Sequence, residues 1–136
     1  MPPPDYGRSL TSFSINLLSA DLARALVFQR DVLGAALLHA DEDLLIVAGY
    51  GSQWMVHADH TYDAHPLLDD TRSAGRRGAG AELRLHGCDP DAVAARAAEL
   101  GFRVLDGPRD QPDHGLREAH VIDDDGYVWV PDVPLP

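Results

Sequence analysis

The sequence predicts an α+β fold of two tandem βαβββ modules, and two observations carry that prediction. First, the halves of the chain echo each other. Phe13-Ser14-Ile15-Asn16-Leu17-Leu18 leads to Asp21, a helical stretch and Leu33-Gly34, while Ala81-Glu82-Leu83-Arg84-Leu85-His86 leads to Asp89, a second helical stretch and Leu100-Gly101. Second, each half passes from a strand-like run to a stripe at helical spacing and then to short strand-like runs separated by turns. A duplicated unit of this kind places its working surface where the two copies meet.

Residues 1–10 read as a flexible, proline-rich lead-in, and residues 11–18 as a strand. Ser19 or Asp21 caps the helix that follows, because a short side-chain oxygen satisfies the free amides of a first turn. Leu22, Ala25, Leu26, Val32 and Leu33 form its apolar stripe. Gly34 stops it by accepting a left-handed backbone. Ala36–His39, Leu44–Tyr50 and Gln53–His57 are strands, separated by Asp41-Glu42-Asp43 and by Gly49-Tyr50-Gly51-Ser52. The pattern dissolves from Asp59 to Gly80, a charged, glycine-rich connector with some anchoring residues. The plan then repeats. Residues 81–86 form a strand, Asp89-Pro90 starts a helix lined by Val93, Ala97 and Leu100, and Gly101 ends it. Strands are expected at Phe102–Leu105, Leu116–Ile122 and Tyr127–Val130, with a polar loop from Gly107 to Gly115 and a tight turn from Asp123 to Gly126.

The 136 residues suit one domain, with module 1 over about 11–60, a linker over about 61–80 and module 2 over about 81–132. The formal net charge is −11, and all 11 basic residues are arginine. So acidic a surface repels phosphate backbones and anionic lipid, which argues against nucleic acid or membrane partners. The absence of lysine excludes Schiff-base and lysine general-base chemistry. Cys88 is the single cysteine, so no internal disulfide forms, and it reads as a small residue in a turn. The first residues lack a basic region followed by an apolar run, and no apolar stretch approaches membrane-spanning length. The expectation is a cytoplasmic protein.

Three segments resemble the vicinal oxygen chelate superfamily, which includes glyoxalase I, bleomycin-resistance proteins, fosfomycin-resistance enzymes and extradiol dioxygenases. Phe28-Gln29-Arg30-Asp31-Val32-Leu33-Gly34 is similar to the family's helix ending, Ala98-Glu99-Leu100-Gly101 repeats that ending, and Asp123-Asp124-Asp125-Gly126-Tyr127 is similar to the turn before its last strand. The resemblance covers roughly residues 11–132 and implies curved mixed sheets around a cavity, often in a homodimer. It also implies divalent-metal ligands on the first, fourth, fifth and eighth strands. By position these are Ser14, His57, Glu82 and Val130. Only His57 and Glu82 are ordinary ligands, whereas a catalytic metal usually takes three protein ligands and an open position. The chain is therefore expected to lack the full metal site, with a divalent metal at His57 and Glu82 as the alternative.

Strand alternation places further polar groups on the faces that carry these positions. Asn16 goes with Ser14, Arg84 and His86 with Glu82, and Glu118 with His120 on the seventh strand. The candidate ligand-binding set is Ser14, Asn16, Trp54, His57, Glu82, Arg84, Glu118 and His120. Each has a bland reading as well: Glu82–Arg84 as a salt bridge closing the sheet, His57 and His120 as structural histidines, Trp54 and Trp129 as core or dimer-interface residues. Three functions follow from the set. One is a binding protein that holds a small, flat organic molecule between its modules without metal, in the manner of bleomycin-resistance proteins. Another is a metal-dependent lyase, isomerase or dioxygenase using a rearranged site drawn from His57, Glu82, Glu118 and His120. The last is a non-catalytic relic that only dimerises.

Overall fold

Asp21 sets the point where the first module turns from strand to helix. In the computed structural model, which describes residues 2–136, its side chain accepts the Arg24 amide at 3.1 Å. The capped helix α2 (Leu22–Val27) follows a short strand β1 (Asn16–Ser19). It continues as a π-helical turn, Phe28–Val32, in which the Leu33 amide reaches the Phe28 carbonyl at 3.0 Å. This widening buries Phe28, Gln29 and Val32 together. Gly34 then leaves the helix at φ 72°, and Gly101 leaves its counterpart at φ 82°, the left-handed conformation that a side chain disfavours. Strands β2 (Ala36–Ala40), β3 (Leu44–Gly49) and β4 (Ser52–Ala58) complete the module.

The second module repeats the order with β5 (Glu82–His86), α4 (Pro90–Glu99), β6 (Arg103–Gln111), β7 (Leu116–Ile122) and β8 (Val128–Pro134). Asp89 caps α4 through the amides of Asp91 and Ala92. The two sheets have the same topology, β1-β4-β3-β2 and β5-β8-β7-β6, and the first pair in each is parallel. They are mixed, curved and unclosed, so the fold is α+β with two βαβββ modules.

Five stretches differ from the sequence reading, one of them β8, which runs on to Pro134 instead of ending at Val130. Pro3–Ser9 is a helix, α1, with proline in its first turn, where a missing amide costs nothing. The strand at residues 11–18 shrinks to Asn16–Ser19, which pair with Met55–Ala58 of β4, while before them the Ile15 carbonyl accepts the Met55 amide at 3.1 Å. The connector holds a 3₁₀ turn (Asp59–Tyr62) and helix α3 (Pro66–Ser73), anchored by the buried Leu68. Finally, β6 does not end at Leu105. It runs on to Gln111 through two register shifts against β7, and as the outer strand of its sheet it tolerates Pro108.

Each sheet turns one face to its helix. Leu17, Leu45, Val47, Trp54 and Val56 from the first sheet and Leu85, Val121 and Trp129 from the second share one apolar core with both helices. Phe28 stands edge-on to Phe102 at 5.1 Å between ring centres, and Trp54 lies 5.6 Å from Trp129. Polar ties reinforce this junction. The Tyr127 hydroxyl donates to the Leu18 carbonyl at 2.8 Å and accepts the Leu18 amide at 3.2 Å. Arg24 pairs with Asp124 and lies 3.9 Å from the centre of the Phe102 ring.

The turn before β8 is built on Asp123, whose carboxylate accepts the amides of Asp125 and Tyr127 and the Trp129 indole N–H. Burial outweighs these bonds and pushes its pKa up to about 6 from an ordinary 3.8. The folded state therefore holds this proton to higher pH than the unfolded chain does. The stabilisation is complete below the ordinary value and is lost as pH rises towards 6. Between pH 4 and pH 7 the wild type should lose about 2–3 kcal/mol more stability than Asp123→Asn, as read by urea unfolding.

Candidate functional site

The face of the second sheet opposite its helix carries a charged network centred on Arg84. Strand alternation puts Glu82, Arg84 and His86 of β5 on this face, with Glu118, His120 and Ile122 of β7 and Val128, Val130 and Asp132 of β8. Arg84 donates to Glu82 Oε1, Glu118 Oε1 and Asp132 Oδ2, each at 3.0 Å. His120 Nε2 donates to Glu82 Oε2 at 3.1 Å and lies 3.9 Å from Glu118 Oε2. Beside this network Ile122, Val128 and Val130 form a small buried apolar cluster.

Electrostatics holds the network in its ionised form. Hydrogen bonding to His120, helped by Arg84, keeps Glu82 below the ordinary carboxylate range against the opposing cost of burial. Burial pushes Glu118 upward, but Arg84, His114 and His120 outweigh it and leave the group lowered. Burial likewise disfavours the charge on Arg84, and its three carboxylates reverse that effect.

A cleft of about 790 Å³ opens at the β5 edge of this network. It is lined by the N-terminal segment from Tyr6 to Ile15, by Tyr50–Trp54, by all of β5 and by Trp129. Trp54 and Trp129, 6% and 2% exposed, lie buried at its floor, and Phe13, 83% exposed, stands at the rim. A second hollow of about 830 Å³ lies at the far end of β1, between Asp21, Asp41, Glu42, Asp59 and Asp63. It has no Trp, Tyr or Phe in its lining, and its Asp59 is already paired with Arg77 at 2.8 Å. The first cleft is the better candidate, because small-molecule sites combine an apolar wall with a few convergent polar groups.

The eight residues singled out from sequence separate into three groups. Ser14, Trp54, Glu82 and Arg84 line the cleft. Glu118 and His120 stand behind it, joined to Arg84 and Glu82. Asn16 and His57 lie elsewhere. Asn16 is exposed where β1 begins, and His57 is half-buried on the first sheet with its ring edge-on to Tyr62 at 5.4 Å. Burial lowers the His57 pKa, and its Nε2 has no partner. Trp54 belongs to the core and touches the cleft only at its floor, with its indole N–H donating to the buried Gln29 at 3.0 Å.

The four positions of the superfamily's metal set do not fit a divalent ion as this chain arranges them. Val130 offers no donor and is fully buried. Glu82 has both oxygens engaged, one by Arg84 and one by His120, and His57 lies under Tyr62 on the other sheet. Of the rearranged set, Glu82, Glu118 and His120 do converge, but the guanidinium of Arg84 is the cation among them. Among the described residues no group of three or more His, Cys, Asp or Glu is placed to hold a metal ion.

Asp132 is the site residue that sequence reasoning missed. It is 1% exposed and accepts from Arg84 and from His86 Nδ1, the latter at 2.8 Å. The signal was available in period two. Val128, Val130 and Asp132 share a face, so the acid absent at Val130 reappears two residues along the same strand.

Paired βαβββ modules with polar side chains gathered on the inner strands of curved sheets define a glyoxalase-type protein. The chain belongs to the Glyoxalase/Bleomycin resistance protein/Dioxygenase superfamily, whose family model matches residues 12–130. Solved structures share the fold at low identity. A glyoxalase/bleomycin resistance protein/dioxygenase family enzyme from Burkholderia phytofirmans PsJN superposes with a TM-score of 0.72 at 16% identity, over 90% of this chain and 97% of its own. A glyoxalase-related enzyme from Fulvimarina pelagi gives 0.69 at 19% identity over 90% and 87%, and the fosfomycin resistance protein FosX from Mesorhizobium loti gives 0.61 at 15% over 92% of each. None of the curated proteins matches the chain in sequence. No helix among the described residues is long and apolar enough to cross a membrane.

Proposed function

We propose that this protein binds a small organic molecule in the cleft between the N-terminal segment, the start of β4 and β5, without the superfamily's full metal site. The observation that carries the reading is the lining itself. The exposed rings of Phe13 and Tyr50 supply aromatic surface over a floor of buried tryptophan, and Glu82 and Arg84 present charge beside open space of ligand size. A flat molecule gains by covering the exposed rings of Phe13 and Tyr50. The carboxylate excess around Arg84 favours a neutral or cationic guest over an anion.

A thermal-shift screen over neutral and cationic aromatic compounds, with and without a chelator, tests this. A compound at a hundredfold excess over its Kd should stabilise the protein by about 2.7 kcal/mol, equally with chelator present. Ser14→Trp, at an exposed position lining the cleft, should abolish the effect by filling the space. Shifts that persist in Ser14→Trp, or that vanish with chelator, would refute the reading.

A further inference from the structure

His86 lines the cleft with one imidazole nitrogen unengaged, while its other nitrogen is held by a buried carboxylate. Its side chain is 73% exposed, whereas that of Asp132 is 1% exposed. Asp132 Oδ1 lies 2.8 Å from His86 Nδ1, and Oδ2 takes two bonds from Arg84, at 3.0 and 3.3 Å. A carboxylate fixed in this way only accepts hydrogen bonds, so Nδ1 carries the proton and Nε2 keeps its lone pair. Nε2 has no hydrogen-bond partner within the chain, and the residue lines the cleft.

No other histidine among the described residues combines these features. His120 spends Nε2 on Glu82, and its Nδ1 is buried without a partner. His57 has its Nε2 buried. The carboxylates beside His39 and His60 are themselves half exposed, so their grip on the ring is weak. His114 lies 3.5 Å from the buried Glu118 but outside the cleft lining.

We infer that His86, oriented by Asp132, is a general base that takes a proton from a molecule bound in this cleft. The inference rests on the cleft reading above and adds chemistry to it. The substrate class is a small organic molecule whose C–H or O–H is acidified by a neighbouring electron-withdrawing group. The proton passes to Nε2, and the resulting imidazolium is stabilised by Asp132. Asp132 does not reach the substrate and is a positioning residue.

The probe is 5-nitrobenzisoxazole, a flat, neutral ring whose elimination needs only a base. Its C3–H proton goes to Nε2, and the C–H electron pair becomes the third carbon–nitrogen bond. The N–O bond breaks on to oxygen to give the phenolate, and the imidazolium returns its proton to water. The wild type should turn the probe over with saturation. His86→Gln, at an exposed position, should lower the rate by about a hundredfold while the probe still quenches the tryptophans. Asp132→Asn should lower the rate, and two-bond ¹H–¹⁵N correlation should show His86 losing its Nδ1–H tautomer. The remote variant His39→Gln should match the wild type.

A wild-type rate no higher than that of free imidazole overturns the proposal, as does an undiminished rate in His86→Gln or a wild-type His86 protonated at Nε2. A rate that depends on His86 but neither saturates nor responds to Ser14→Trp upholds the base and overturns the cleft reading instead.

Discussion

Arg84→Met is expected to destabilise the protein by about 3–5 kcal/mol near neutral pH, because it leaves buried carboxylates without their cation. Arg84 is 28% exposed at the side chain, Glu118 6% and Asp132 1%, so water cannot take over its role for the latter two. The pH dependence supplies the sharper signature. Glu82 and Glu118 sit below their ordinary 4.5 in the folded protein, so their contribution is present above that value and is lost as pH falls through their lowered folded values. In Arg84→Met, Glu118 loses the main partner that lowers it and Glu82 loses the help that Arg84 gives to His120, and protonation then relieves the strain. The stability gap between the two proteins should therefore narrow as pH falls from neutral towards the carboxylate range. Urea unfolding across that range checks this, and a gap independent of pH would show that Arg84 acts by packing rather than by charge.

Trp129→Ala is expected to cost a similar amount, about 3–5 kcal/mol, by opening a cavity where the modules meet. Trp129 packs against Phe28 of the first module and against Trp54, and its indole N–H is a donor to Asp123. Its removal exposes core belonging to both halves. The loss should appear as one transition, with the fluorescence of Trp54 and the far-ultraviolet circular dichroism moving together. Separate transitions would show that the two modules fold independently and that their common core does not couple them.

The repeated architecture was legible in the sequence because it rests on local rules. Asp21 and Asp89 cap helices, Gly34 and Gly101 end them, and the strands of each module follow with turn residues between. These signals operate within a few residues of one another. The misread stretches are those where distant partners decide. Gly107-Pro108 looks like the start of a loop, yet β7 draws β6 through it by shifting register. The alternating residues before Ile15 look like a strand, yet the ladder with β4 begins only at the Ile15 carbonyl and Asn16.

The site divides in the same way. Alternation along β5 placed Glu82, Arg84 and His86 on one face, and the shared face of Glu118 and His120 was equally plain from β7. Which groups meet across strands could not be read, since that depends on pairing. Only the register of β8 against β5 and β7 sets Asp132 beside both Arg84 and His86.

The sequence by itself thus determined two copies of a strand-helix-strand unit, their caps and turns, and a weak donor at Ser14 and none at Val130 in an inherited ligand pattern. Those are properties of single residues and near neighbours. The tertiary structure decided that Arg84 stands as the cation among Glu82, Glu118 and Asp132, that His57 lies apart from them, and that His86 faces the cleft with a free nitrogen. Hydrogen bonds form only between groups brought within about 3 Å, and only the packed sheets bring residues this far apart along the chain so close together.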